Sequence, residues 1–146
     1  MFRFFCTGLS IFVLFLFSCT NPSRENKSIA DSTLNQSGKK YAELQLIEDF
    51  YDFGSIVQGE VVKHTFNFRN AGGNVLIIKD LIPDCGCTKP TVDKTVLKSG
   101  EEGAVEVIFD SNGWQGSQYK SVTLRTNSPI REKSVTIKVN VVPPKD

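Results

Sequence analysis

Apolar and polar residues alternate along most of the chain beyond residue 41. Val62, His64, Phe66 and Phe68 fall on one face of an extended segment, with Val61, Lys63, Thr65, Asn67 and Arg69 on the other. Val105, Val107 and Phe109 alternate with Glu106 and Ile108; Val122, Leu124 and Thr126 alternate with Thr123 and Arg125. Val135, Ile137, Val139 and Val141 alternate with Thr136, Lys138 and Asn140. A period of two marks a β-strand with one face in a core and one in water, and the abundance of β-branched residues suits the same element. Leu44 to Ile47 and Val75 to Ile82 are predicted as further strands. The second is partly apolar on both faces, which predicts a central or covered strand.

Turn chemistry falls between the runs: Gln58-Gly59, Asn70-Ala71-Gly72-Gly73, Ser99-Gly100-Glu101-Glu102-Gly103, Asn112-Gly113 and Asn127-Ser128-Pro129. Gly and Asn accept the positive φ that tight turns demand. About seven short strands separated by such turns predict an all-β fold, an immunoglobulin-like antiparallel β-sandwich. The Cys–Trp–Cys order of antibody domains is absent, because the single Trp, Trp114, follows both candidate cysteines. No internal repeat is present.

The first forty residues follow a different pattern. Arg3 gives a short positive start, Leu9 to Phe17 is apolar except for Ser10, and Cys19 comes directly after Leu16-Phe17-Ser18. That order is a secretory signal peptide over residues 1–18, too short in its apolar run to span a bilayer, which needs about 20 residues. The small residue before Cys19 resembles the lipobox of bacterial lipoproteins, although Phe17 is bulkier than the usual residue there. The resemblance implies cleavage before Cys19 and acylation of its thiol, hence a membrane anchor. Residues 19–40 are polar apart from Ile29, Ala30 and Leu34, a composition that cannot offset the entropy of ordering and reads as a flexible tether. Residues 41–146 then form one domain of ordinary size. Thr20-Asn21-Pro22-Ser23 lacks an Asp directly after the cysteine, which points to the outer membrane.

With Arg3 removed, sixteen basic residues balance sixteen acidic ones. This balance argues against nucleic acid as a partner. The catalytic constellations are also missing. Asp52-Phe53-Gly54 spells a kinase motif without its companions, and no Gly-x-Ser-x-Gly, His-Glu-x-x-His or Walker loop occurs; Gly54 is expected to allow a turn between two short strands. His64, the only histidine, occupies an inward strand position and is expected to be a core residue satisfied by a neighbouring carbonyl or hydroxyl. No enzyme activity and no cofactor are expected.

The cysteines pose the sharpest chemical question. Cys6 leaves with the signal and Cys19 is the anchor, so Cys85 and Cys87 remain, within Pro83-Asp84-Cys85-Gly86-Cys87-Thr88-Lys89-Pro90. Exported thiols usually end as disulfides. In an extended strand, residues two apart lie about 6.6–6.8 Å from each other, at the limit of disulfide geometry, but a turn at Gly86 would bring them closer. A local structural disulfide, a redox pair and a two-thiolate Cu(I) site are all consistent with the spacing. A tetrahedral Cys/His zinc site is excluded, because it needs four ligands and the domain has two Cys and one His. No metal site is assigned.

Several ordered motifs together resemble a known family. Tyr51 to Glu60, His64 to Gly72, Cys85-Gly86-Cys87-Thr88-Lys89-Pro90, Lys98 to Gly103, Val105 to Asp110 and Thr126-Asn127-Ser128 are similar to domain of unknown function 1573. The resemblance spans roughly Leu46 to Val142. It implies a Hydin- or major-sperm-protein-type immunoglobulin-like module carried on lipoproteins of Gram-negative bacteria, and no established activity. Ser99 departs from the family pattern, where Pro is more usual, with an effect expected on turn rigidity only. The expected function is a non-enzymatic binding or scaffolding module, anchored by lipid in the cell envelope and facing an envelope protein or glycan. The other reading is a thiol-redox or Cu(I)-handling protein acting through Cys85 and Cys87. Trp114, in Asn112-Gly113-Trp114-Gln115-Gly116, is the candidate binding residue, since Trp is enriched at binding hot spots; a Trp folded over the end of the sandwich would have the same sequence context.

Overall fold

The computed structural model describes residues 40–145. The expected signal peptide at 1–18, Cys6, Cys19 and the tether up to residue 39 lie outside the described residues. Nine strands and no helix occur among those described. They are β1 (Leu44–Leu46), β2 (Phe50–Val57), β3 (Val61–Asn70), β4 (Leu76–Pro83), β5 (Thr88–Val92), β6 (Val96–Leu97), β7 (Glu102–Asp110), β8 (Gly116–Thr126) and β9 (Glu132–Val142). One sheet has the order β1-β3-β7-β5 and the other β2-β9-β8-β4-β6.

The strands with the cleanest alternation form the middle of each sheet. Phe66 and Phe68 of β3 and Val105, Val107 and Phe109 of β7 face Val122 and Leu124 of β8 and Val135, Ile137, Val139 and Val141 of β9; each is at most 2% exposed. Full burial of each such side chain contributes about 1.5–3 kcal/mol, so this interface between the sheets dominates the stability. The residues between them in sequence turn outward, as a period of two requires.

Two features differ from expectation. Gly54 does not end a strand. Phe50–Val57 is one strand, and its pairing shifts register between Asp52 and Ser55, with Gly54 at φ 71°. A β-bulge absorbs the extra residue there, and its positive φ suits Gly. This strand also pairs parallel to β9, whereas the other pairings are antiparallel. By contrast, β4 lies between β8 and β6, a central position as expected, with its outer face open to solvent: Ile77 and Ile82 are 41% and 38% exposed.

The chain enters the domain at Tyr41, beside the C-terminal end of β3. Leu44 pairs with Asn70, and the Gly73 amide donates to the Tyr41 carbonyl at 3.0 Å. The other end of β3, at Val61, meets the turn at Gln58-Gly59 and the loop after Asp110. The ten residues of β3 separate these two ends of the sandwich by about 30 Å.

Candidate functional site

Three connections meet at the end remote from Tyr41: the β2–β3 turn, the β4–β5 corner carrying the cysteines, and the β7–β8 loop carrying Trp114. Backbone hydrogen bonds tie them together. The Asp110 amide donates to the Cys87 carbonyl at 3.1 Å, the Asp84 amide to the Ser121 carbonyl at 3.1 Å, and the Ser111 amide to the Glu60 carbonyl at 3.1 Å. Ser111, fully buried, adds a hydroxyl that donates to the Glu60 carbonyl at 2.7 Å and accepts from the Gly59 amide at 2.9 Å.

Trp114 is partly buried and packs against the core, so it is folded over the sandwich end rather than displayed freely. Gln58 Nε2 donates to its carbonyl at 3.0 Å. Beneath its ring lies Lys120, with Nζ 3.4 Å from the Trp114 ring centroid and 5.9 Å from that of Phe109. Lys120 is only 7% exposed, and no carboxylate among the described residues forms an ion pair with it. Burial of an unpaired ammonium is costly; contact with aromatic faces offsets about 2 kcal/mol of that when desolvated. No sealed side-chain nitrogen or oxygen among the described residues lacks a partner, so the Lys120 ammonium reaches solvent at its tip while its stem is buried. The sequence reading missed Lys120. Extending the Val122–Leu124–Thr126 alternation back by two would have placed it inward.

At the β4–β5 corner the chain crosses from the five-stranded to the four-stranded sheet, and there Cys85 and Cys87 are joined in a disulfide with Cα atoms 5.3 Å apart. The turn at Gly86 supplies the approach that an extended backbone would not. The sulfurs are bonded to each other and partly buried, and among the described residues no group of three or more His, Cys, Asp or Glu could hold a metal ion. The Thr88 hydroxyl lies 3.4 Å from Cys85 Sγ and 3.9 Å from Cys87 Sγ. A disulfide sulfur carries no proton, so the hydroxyl is the donor. A cavity of about 230 Å³ opens beside the corner, lined by Val61, Gly86, Cys87, Lys89, Ile108 and Asp110.

The remaining motif residues do structural work elsewhere. Asn70, fully buried, uses its whole side chain: Oδ1 accepts from the Glu43 and Gly72 amides at 3.2 and 3.0 Å, and Nδ2 donates to the Asn74 and Leu97 carbonyls at 2.8 and 3.1 Å. Gly72 is required by close approach, because a Cβ there would run into the Tyr41 carbonyl oxygen and sit 2.5 Å from the Glu43 nitrogen. Ser99 does more than shape its turn, since its hydroxyl donates to the Gly72 carbonyl at 2.6 Å. Asn127 holds β4 by accepting from the Ile77 amide and donating to the Val75 carbonyl, both at 2.9 Å. Asp52 accepts from the Gly54 amide at 2.8 Å and pairs with Lys138 at 2.9 Å. The Lys138 ammonium foremost, then the Gly54 amide, hold its carboxyl below the ordinary aspartate value. His64 is not satisfied by a carbonyl or hydroxyl. Its Nε2 meets the Glu48 carboxylate, its ring stacks on Tyr51 at 3.7 Å, and its side chain is 20% exposed.

The sheet edges are poorly suited to pairing with a partner strand. β1 has three residues and β6 two; β5 carries Pro90, which lacks an amide proton; β2 is interrupted by its bulge. Short strands, Pro and bulges are the usual protections of an edge.

The two sheets and their loop-borne site make this an immunoglobulin-like β-sandwich domain. The model of the family described as Protein of unknown function (DUF1573) matches residues 44–141, and the chain belongs to that family. No curated protein matches it. A protein of unknown function from Porphyromonas gingivalis W83 superposes with a TM-score of 0.61 at 19% identity, over 73% of this chain and 50% of that one. The ASH/PapD-like domain 7 of human CEP192 gives 0.54 at 9% identity, over 72% and 89%. The secreted serine protease VesC of Vibrio cholerae gives 0.52 at 12% identity, over 73% of this chain and 24% of that chain. The chain thus spans about half the length of the Porphyromonas protein and a quarter of VesC. At these identities the likeness is one of fold alone.

Proposed function

We propose that the chain is a non-enzymatic binding module of the bacterial cell envelope, anchored by lipid on Cys19 and presenting the loop end that carries Trp114. The single observation that carries this reading is the placement of Trp114 over the buried Lys120, at the end about 30 Å from where the chain enters the domain. A tether attached at the near end leaves the far end free to meet a partner. The aromatic supplies area, the cation beneath it supplies charge, and the loops supply shape. The protected edges favour loops over strand pairing. The partner is an envelope protein or glycan, and the outer membrane is the proposed site of anchoring.

The test is cross-linking in intact envelopes followed by purification of the chain and of its Trp114→Ala variant, with circular dichroism confirming that both are folded. One specific protein or glycan should be retained by the parent and at least tenfold less by the variant. Equal retention by both, or none that is specific, overturns the binding reading. In the same preparations, Cys19→Ala should move the chain to the soluble fraction; continued membrane retention overturns the anchor.

A further inference from the structure

The disulfide at the β4–β5 corner has a setting that a purely structural crosslink does not require. It links residues two apart in sequence, so it closes a very short loop and restrains little of the unfolded chain. The corner is already fixed without it: the Asp110 amide bonds to the Cys87 carbonyl, the Asp84 amide to the Ser121 carbonyl, and the Ser121 amide to Asp84 Oδ2 at 2.9 Å. The two sulfurs are also inequivalent. Cys87 lines the cavity of about 230 Å³ and Cys85 does not, whereas the Thr88 hydroxyl is nearer Cys85, at 3.4 Å against 3.9 Å. Thr88 is 2% exposed, so its hydroxyl is held in place.

We propose that this corner is a thiol–disulfide exchange site, at which a cysteine thiolate seated in the cavity attacks Cys87 and Cys85 departs. The cavity is smaller than a drug-sized ligand pocket, and it fits a cysteine side chain. Lys89 lines it and attracts a thiolate; Asp110 also lines it, next to Cys87, whose carbonyl accepts from the Asp110 amide, and its carboxylate offsets part of that attraction. The incoming sulfur forms a bond to Cys87 Sγ as the Cys85–Cys87 bond breaks. Cys85 leaves with the electron pair as a thiolate, which the Thr88 hydroxyl stabilises by donating a hydrogen bond, and then takes a proton from water. A second thiolate attacks the ligand sulfur of the mixed disulfide and releases Cys87. In sum, two ligand thiols become one ligand disulfide, and the protein disulfide becomes a dithiol, once per molecule. This goes beyond the binding reading and does not depend on it, so failure in the envelope cross-linking leaves the exchange chemistry untouched.

The oxidised chain is incubated with free cysteine in one arm and with acetyl-Ala-Cys-Ala-amide in the other, and products are followed by mass spectrometry after acid quenching. The single-cysteine variants hold no disulfide, so each is given the oxidised ligand instead, cystine or the disulfide dimer of the peptide. The remaining thiolate attacks it and one ligand half leaves as a thiolate. Cys85→Ser should form its mixed disulfide at Cys87 at least tenfold faster than Cys87→Ser forms one at Cys85. Reaction in either arm supports the proposal, and the faster arm identifies the source as a free or a peptide-borne thiol. Equal rates at the two cysteines, or a parent disulfide that stays intact in both arms, overturn it. Should the cysteine variants fail to fold, Lys89→Ala keeps both sulfurs. It should slow reduction of the parent disulfide severalfold, and an unchanged rate overturns the role of the cavity.

Discussion

Replacing Asn70 by Ala would strand four backbone groups at once, the Glu43 and Gly72 amides and the Asn74 and Leu97 carbonyls. Each unsatisfied buried group costs about 1–3 kcal/mol, and water can reach some of them. Asn70→Ala is therefore expected to lower unfolding stability by about 3 kcal/mol or more, measured by urea denaturation. A loss under about 1 kcal/mol would mean that the side chain is not the hub its geometry describes. Ser99 belongs to the same assembly, because it bonds the carbonyl of Gly72 while Asn70 bonds its amide. The Asn-Ala-Gly motif thus reflects a side chain that stands in for missing strand pairing where the chain enters the domain. Its turn character was legible in the letters. Its fourfold bonding was not, since the partners come from residues 43, 74 and 97.

Among the elements, β2 depends most on side-chain chemistry. It is an edge strand with most residues exposed on both faces, joined to β9 through a broken register. Asp52 spans the break, accepting from Gly54 and pairing with Lys138 of β9. Its folded pKa is lowered below the ordinary 3.8, so its contribution is present above that value and is lost as pH falls through the lower folded value. Asp52→Asn should accordingly melt below the parent at neutral pH, with the gap narrowing as pH drops under about 3.8. Melting curves across that range decide it, and a gap that widens in acid would contradict the assignment. The same features explain why β2 was read as two short strands. With water on both faces there is no apolar period to follow, and the bulge interrupts what period remains. Its parallel pairing was equally hidden, because it is set by where β9 lies in space. β5, holding Pro90, and the two-residue β6 were too short or too irregular to carry a pattern. By contrast, β3, β7, β8 and β9 bury one face each, and their alternation gave both their existence and their inward residues.

At the scale of the molecule, the two ends of the sandwich are built from different materials. The entry end is closed by neutral hydrogen bonding through Asn70, Ser99 and Asn127. The far end holds a lysine that is 7% exposed, with its stem buried and its ammonium at the surface under an aromatic ring, and a disulfide. Cys85, Cys87 and Trp114 were legible there from residue type; Lys120 was passed over because a lysine reads as outward even where the alternation points in. Holding a lysine stem in the core with its charge partly desolvated and no counter-charge beside it costs stability. Methionine has a similar length and no charge, and it would keep the packing under Trp114 while removing the cost of desolvation. It would forfeit a cation–π contact of about 1–2 kcal/mol, so the opposing terms are of similar size. Lys120→Met should therefore melt within a few degrees of the parent or above it, whereas Lys120→Ala, which leaves a cavity under the ring, should melt clearly lower. Under the proposed binding role of Trp114, both variants should also retain at least tenfold less cross-linked partner than the parent. If Lys120→Met instead unfolds as readily as Lys120→Ala, the ammonium is a structural support of the far end. A variant that is as stable as the parent but no longer retains a partner would show that stability was given up at this end for recognition.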